Sequence, residues 1–326
     1  MESAYFWMGG RLATELITIT NDPSEIDDGF WAITTTFDGQ FTGAKFGKVV
    51  ESKWDIPFKA ISGQWHSTHD KESYCKLVEN LRQEIANGNV YQVNACRVLT
   101  LESSESIEGL IAGFLENNPA KYAGFLKIPG LEIASASPET FLERHGDTLK
   151  SSPIKGTRKA GLQGPFPEKD ESENIMIVDL MRNDLGRICI EDSVNVPNLL
   201  TIQELPGLAH LVSDVVGQLK PRTTWKDIFD ATLPPGSVSG APKSSAIKLI
   251  NKHEAIERGP YCGAFGWIHG DKADLAVAIR TFWSDGKFVK FGTGAGITWG
   301  SDPVSEWEET ELKAARLISI ATGNFK

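Results

Sequence analysis

Strand-forming and helix-forming stretches succeed one another in mixed order along this sequence, and no linker, repeat or low-complexity segment divides it. A doubly wound parallel sheet needs a helix after each strand, so that architecture is set aside. Residues 1–60 carry short Thr- and Val-rich stretches, LITIT and FWAITTTF, broken by Asn-Asp-Pro and Asp-Gly turn signals, which predicts a small sheet. Tyr74, Leu77, Val78, Leu81 and Ile85 recur at helical spacing, Gly88 stops them, and VYQVNACRVLTL follows as a long strand. Ile107, Leu110, Ile111 and Phe114 mark a second helix, after which 122–126, 131–136, 141–144 and 149–152 read as strands. Further helices are predicted near 171–185, 243–252 and 303–318, with strands near 208–218, 262–269, 276–283 and 287–293. The whole reads as one α+β domain over residues 1–326, with a strand segment at 1–60 ahead of the main body at 61–326.

Charge narrows the partners. Among 326 residues, 43 Asp and Glu outnumber 33 Lys and Arg, for a net charge of −10 that repels phosphate backbones and anionic lipid. Nucleic-acid and membrane-surface roles are therefore not expected, and any anionic ligand must be held locally by a metal ion, backbone N–H groups or a few placed cations. Four dispersed cysteines suit a reducing compartment. With no run of 18 apolar residues and no basic stretch leading into an apolar one at the start, the expected location is the cytoplasm.

Several familiar motifs fail on inspection. GSVSGAPKSS at 236–245 has Ala241 and Pro242 where a phosphate loop needs Gly-Lys. GTGAG at 292–296 lacks the third glycine of a dinucleotide fingerprint and reads as a tight turn whose N–H groups could cradle a carboxylate. No HExxH, GxSxG or GxCxG sequence occurs, so hydrolase and amidotransferase chemistry is not expected of this chain.

Two acidic helices are more informative. In DPVSEWEETELKAARL, Asp302-Pro303 is a helix start, and Glu306, Glu309 and Lys313 stand three and four apart on one face. In KDESENIMIVDLMRNDL, Asp170 and Glu173 stand three apart at the start of an apolar helix. Two such pairs could hold one hard divalent ion such as Mg²⁺ through oxygen ligands, although a solvated face is the ordinary reading of either alone.

The blocks SASPETFL, SSPIKGTR, ENIMIVDLMRNDLGR, HLVSDVVG, LPPGSVSGAPK, RGPYCGAFGW, IRTF, GTGAGI and DPVSEWEETELKA, in this order, resemble the chorismate-utilising enzymes. That family includes anthranilate synthase component I, aminodeoxychorismate synthase component I, isochorismate synthase and salicylate synthase. The resemblance implies two large antiparallel sheets packed face to face and flanked by helices, with residues 61–326 as the catalytic core. It implies chorismate as substrate, with Glu173 and Glu309 as direct Mg²⁺ ligands and Asp170 and Glu306 holding metal-bound waters. The metal would grip the ring carboxylate. The second carboxylate would meet Arg280, Tyr261 and the amides of Gly294, Ala295 and Gly296, with Thr157 and Lys313 as further contacts. Glu139 resembles the general acid for the C4 hydroxyl, and His210 the residue bonded to that hydroxyl.

Two positions separate the branches of the family. The water-adding enzymes resemble one another in a lysine where this chain has Gln92, and an amide cannot act as the base. In PIKGT, Lys155 stands where anthranilate synthases usually carry a small residue. Lysine there resembles the aminodeoxychorismate branch, in which the amine attacks C2 and ammonia then displaces it at C4; a purely electrostatic Lys155 is the alternative. An amine nucleophile must be neutral, as about one lysine in 10³ is at pH 7, so burial or a nearby cation is required, Arg158 being the candidate. The expected partner is a separate glutamine amidotransferase supplying ammonia, with a third enzyme finishing para-aminobenzoate. The short segment before the first family helix leads us to expect no inhibition by tryptophan, which adding tryptophan to an assay would test.

Overall fold

The computed structural model describes residues 4–162, 164–205, 208–254 and 256–325. Its strands are β1 (Tyr5–Met8), β2 (Arg11–Thr20), β3 (Phe30–Thr35), β4 (Phe41–Glu51), β5 (His66–Ser67), β6 (Gln92–Glu102), β7 (Tyr122–Ile128), β8 (Leu131–Ser137) and β9 (Thr140–His145). They continue with β10 (Thr148–Ser152), β11 (Ile154–Lys159), β12 (Asn195–Leu205), β13 (Leu208–Gln218), β14 (Gly240–Ala241), β15 (Ala264–His269), β16 (Lys272–Val277), β17 (Thr281–Ser284) and β18 (Phe288–Ile297). The helices are α1 (Lys71–Ala86), α2 (Leu110–Asn117), α3 (Glu168–Ile188), α4 (Trp225–Thr232), α5 (Lys243–His253) and α6 (Pro303–Ala321).

Every strand pairing is antiparallel, and the pairings form one continuous ribbon. From β6 it runs through β18, β17, β8, β7, β1, β2, β4, β3, β15, β16, β9 and β10 to β13, which also carries β11 and β12. The short β5 and β14 add to β6. Its two halves lie face to face. Phe6 on β1 sits with its ring 5.8 Å from that of Phe265 on β15 and 6.0 Å from that of Phe30 on β3, although neither strand neighbours β1 in the ribbon. Alternation explains the layering: Phe6 and Met8 enter the central core, while Trp7 between them points outward. On that outer face Trp7, Phe125, Phe282 and Phe291 are covered by Leu110, Ile111 and Phe114 of α2 and Leu317 and Ile320 of α6. The face-to-face antiparallel arrangement is the one expected.

Where expectation and structure differ, the reasons are local. The strand expected at 276–283 is two, because Arg280 takes a φ of 51° and ends β16 before β17 begins. GTGAG is no turn: all five residues lie inside β18, paired one for one with 94–98 of β6. β11 and β12 carry too little apolar periodicity to be read in advance, whereas α4, which the sequence reading does not include, has Trp225, Ile228 and Phe229 at helical spacing behind a Thr224–Asp227 capping box.

Beneath the β6–β18 pair lies a buried ion pair. Arg258 donates Nε to Glu254 Oε2 at 2.8 Å and Nη2 to Glu254 Oε1 at 2.6 Å and to Asn94 O at 2.7 Å, while Cys96 N donates to Glu254 Oε1 at 2.8 Å. Removing one partner leaves a charge buried without its counterpart. Glu254→Ala is expected to cost about 3–5 kcal/mol in urea unfolding, and a change below about 1 kcal/mol would contradict this account of the core.

Candidate active site

Residues far apart in the chain converge at the end of the sandwich where β11, β13 and β18 meet α3 and α6. On β11, Gly156 has a φ of 77° and the register with β13 shifts between Lys155 and Thr157. A side chain at Gly156 would strike Asp170 Oδ2 at 2.9 Å, so the start of α3 is seated directly on this bulge. Thr157 faces His210 across the ladder, and their Oγ1 and Nδ1 lie 2.9 Å apart. Burial, aided by the Arg280 charge, pushes the pKa of His210 down, which keeps its imidazole neutral at neutral pH.

Lys155, with its side chain 17% exposed, reaches into this region. Its Nζ donates to Ser237 O at 3.3 Å and lies 3.8 Å from Glu173 Oε2. Arg158 is not its neighbour as expected: its guanidinium donates to Gly164 O at 2.6 Å and stacks 4.4 Å from the Phe166 ring centroid. Glu139, only 4% exposed, occupies the corner between β8 and β9. The corner is fixed by Ser137 Oγ donating to Val277 O at 2.6 Å and Val277 N donating to Glu139 O at 3.0 Å. Burial raises the pKa of its carboxyl, partly offset by Ser237, Lys155 and Arg280, and Oε1 has no hydrogen-bond partner among the described residues. A carboxyl whose burial favours its protonated form, with one free oxygen, is equipped to donate a proton. Arg280 sits at the break between β16 and β17 in a left-handed conformation; burial lowers its pKa, and Glu139 opposes this.

The glycines of β18 serve close approach. A Cβ on Gly292 would enter the Tyr261 ring, one on Gly294 would strike Ala95 O, and one on Gly296 would come within 2.6 Å of Gln92 Nε2. Among the described residues no strand pairs with β18 beyond Phe291 on the side that β17 occupies earlier, so alternate backbone groups of 292–296 face away from β6. The amides thus come from an extended strand. Since Tyr261 is buried against a fixed strand pair, Gly292→Ala is expected to cost about 1–3 kcal/mol by overpacking. A melting temperature unchanged from the wild type would contradict it. Gln92, 2% exposed, donates Nε2 to Glu173 Oε2 at 3.2 Å.

The four carboxylates come from the two expected helices. Asp302 caps α6 by accepting from Ser305 N at 2.9 Å, with Pro303 at the first position. Lys313 donates Nζ to Glu309 Oε1 at 2.6 Å and to Gly294 O at 3.1 Å. Burial raises the pKa of Glu306 and of Asp170, and the Glu309 charge raises both further. Burial would raise Glu309 also, but Lys313, Lys169 and Lys155 outweigh it and hold it below the usual range. Lys169 lies between the helices, 3.8 Å from Glu173 Oε1 and 3.9 Å from Glu306 Oε1. Among the described residues no three carboxylate, histidine or cysteine side chains converge closely enough, as arranged, to hold an ion. In kind the donors fit a hard divalent cation, being all oxygen, mutually repelling and already drawing in ammonium groups.

Every residue singled out from the sequence therefore falls in one neighbourhood except Arg158. Two members were not foreseen. Ser237 touches both Lys155 and Glu139; its motif, GSVSGAPK, fails as a phosphate loop and enters the family resemblance without a role for this serine. Lys169 adjoins Asp170 in sequence, but only the approach of α6 reveals its role. A cavity of about 440 Å³ between Tyr5, Trp7, Leu12 and Trp54 is lined by none of these groups.

Comparison with known proteins agrees with this geometry. The chorismate binding enzyme family matches residues 51–319. Anthranilate synthase component 1 of Archaeoglobus fulgidus is 38% identical over 83% of this chain and 68% of its own length. Aminodeoxychorismate synthase component 1 of Bacillus subtilis is 33% identical over 88% of this chain and 66% of its own length. The chain spans about two thirds of the length of these two curated relatives and less of several others. Among solved structures, a putative 2,3-dihydroxybenzoate-specific isochorismate synthase from Bacillus anthracis superposes with a TM-score of 0.81 over 98% of this chain and 96% of its own, at 22% identity.

Proposed function

The chain belongs to the chorismate binding enzyme family, and from that premise we propose that it makes 4-amino-4-deoxychorismate from chorismate and ammonia. The observation that carries the reading is Lys155, whose amine is drawn in between Glu173 and the Ser237 carbonyl, and would lie 4.0 Å from a Cβ placed on Gly296.

In this reading the Lys155 amine attacks C2 of chorismate through its nitrogen lone pair. Both ring double bonds shift, C1=C2 to C1=C6 and C5=C6 to C4=C5, the C4–O bond breaks, and Glu139 gives its proton so that water leaves. Ammonia then attacks C4, both double bonds shift back, and the C2–N bond breaks to release Lys155. The proton that ammonia loses returns to the protein, so each turnover closes with Glu139 protonated and Lys155 free. His210, neutral and bonded to Thr157, orients the C4 hydroxyl. Arg280, Tyr261 and the outward amides of Gly294 and Gly296 receive one carboxylate, while the amide of Ala295, at the alternate position, faces β6. Asp170, Glu173, Glu306 and Glu309 would hold Mg²⁺, which would neutralise the ring carboxylate and draw charge from the ring. Lys313 holds Glu309 and the Gly294 carbonyl in one arrangement, and Gln92 does the same for Glu173.

Ammonia would come from a glutamine amidotransferase subunit; "component 1" in the relatives' names favours such a partner. The four cysteines are all free thiols, which suits the cytoplasm, and no helix among the described residues is long and apolar enough to cross a membrane. The product would feed para-aminobenzoate and folate formation. Relatives named anthranilate synthase support a second reading, in which ammonia enters at C2 and pyruvate is lost. Incubating the purified chain with chorismate, Mg²⁺ and ammonium near pH 8.5 separates them by mass spectrometry. A product that retains the enolpyruvyl group is expected, and anthranilate with pyruvate would replace the first reading by the second.

A further inference from the structure

The first half of α6, which carries Glu306, Glu309 and Lys313, is held at the turn from Trp307 to Glu311 by more than apolar contact. Arg97 on β6, 2% exposed, donates Nε to Thr310 Oγ1 at 2.9 Å and Nη1 to Ser67 Oγ at 3.1 Å, and pairs Nη2 with Glu311. The flat of its guanidinium lies 4.3 Å from the Trp307 ring centroid. Thr293, directly opposite Arg97 in the β6–β18 ladder, donates Oγ1 to Thr310 O at 3.1 Å, and Thr310 Oγ1 lies 2.8 Å from Trp307 O, which it can donate to. Both strands of one ladder rung thus grip the same helical turn.

A buried guanidinium is costly to leave unpaired, and a fork has far fewer acceptable settings than a point charge. Turning α6 by one residue, about 100° at 3.6 residues per turn, would break the Thr310 bond, the Glu311 pair and the Trp307 stack together. The same rotation would carry Glu306 and Glu309 away from Asp170 and Glu173, because residues three and four apart share a face. Trp307 also packs on the central core, its ring 5.7 Å from that of Tyr74, but the buried apolar residues Ala314, Leu317, Ile320 and Ala321 all lie beyond that turn.

We infer that Arg97 is a positioning residue that fixes the rotation of α6 and so aims Glu306 and Glu309 at the carboxylates of α3. The inference rests on reading those four carboxylates as the Mg²⁺ set. Calorimetric titration of Mg²⁺ into the full chain, Arg97→Lys and Thr310→Val, with a thermal melt of each, tests it. Arg97→Lys keeps the charge but loses the fork, and is expected to bind Mg²⁺ about 10- to 100-fold more weakly while still folded, as partners that orient ligands usually do. Thr310→Val should shift the affinity in the same direction. Wild-type affinity in folded variants would overturn the inference, as would a loss that merely tracks the melted fraction. A wild-type chain that takes up no Mg²⁺ would overturn the carboxylate reading itself, and the role of Arg97 with it.

Discussion

Lys155→Ala is expected to lower the rate of aminodeoxychorismate formation by about 10³-fold or more, because removing a covalent nucleophile removes the step and not merely its stabilisation. The side chain is partly exposed, and its one ion pair among the described residues is with Glu173, so its truncation opens space without unpairing a buried cation. The fold should survive, with a melting temperature within a few degrees of the wild type. The vacated space adjoins Gln92 and Gly296, so whatever turnover remains should come from ammonia attacking C2 directly. Rates from a continuous chorismate-consumption assay, with products separated by chromatography, check both statements. A variant that keeps most of its rate and its product would leave Lys155 with an electrostatic role only.

Glu139→Gln is expected to lower kcat by about 10²–10⁴-fold, the usual worth of a general acid, without lowering stability. The sign follows from burial. The folded-state pKa is raised, so the carboxyl favours folding below its ordinary pKa near 4.5, and that contribution is lost as pH rises through the raised value. Above it the folded chain carries a buried carboxylate, which glutamine does not. At pH 8.5 the variant should therefore melt at the same temperature as the wild type or higher. The wild-type rate should fall on the alkaline side as Glu139 loses its proton, and the variant should lack that limb. A variant that melts several degrees lower with a proportionate loss of rate would make Glu139 a structural residue.

The parts of the fold legible in the sequence are those where one periodicity prevails. α1 has Tyr74, Leu77, Val78 and Leu81 buried along one stripe, and α6 has its Asp-Pro cap; both lie within a few residues of the expected bounds. β12, with Asn195, Pro197, Asn198 and Gln203, and β11, with Lys155, Arg158 and Lys159, are polar because they line an edge and a site. Polar strands of that kind look like loops. GTGAG misled for the opposite reason: glycine usually signals a turn, and here it makes room for Tyr261, Ala95 and Gln92 against a straight strand.

The site divides in the same way. Carboxylates three apart on a helix are visible in sequence, since helical geometry alone puts them on one face. Which cation would meet them is not visible, because Lys169 is defined by a second helix that arrives more than a hundred residues later. Ser237 and Arg97 escape for a related reason. One meets Lys155 through a backbone carbonyl that any residue possesses and Glu139 through one hydroxyl among many, and the other resembles an ordinary strand arginine until Thr310 and Trp307 close over it.

A covalent bond from Lys155 to C2 is the step that separates the proposed route from direct attack by ammonia. Incubating the chain with chorismate and Mg²⁺ in the absence of ammonia, followed by acid quench, proteolysis and peptide mass mapping, addresses that bond directly. A peptide containing Lys155 that is heavier by chorismate less one water, and that disappears when ammonium is added, is the predicted result. An unmodified Lys155 peptide in a chain that nevertheless consumes chorismate once ammonium is present would contradict it.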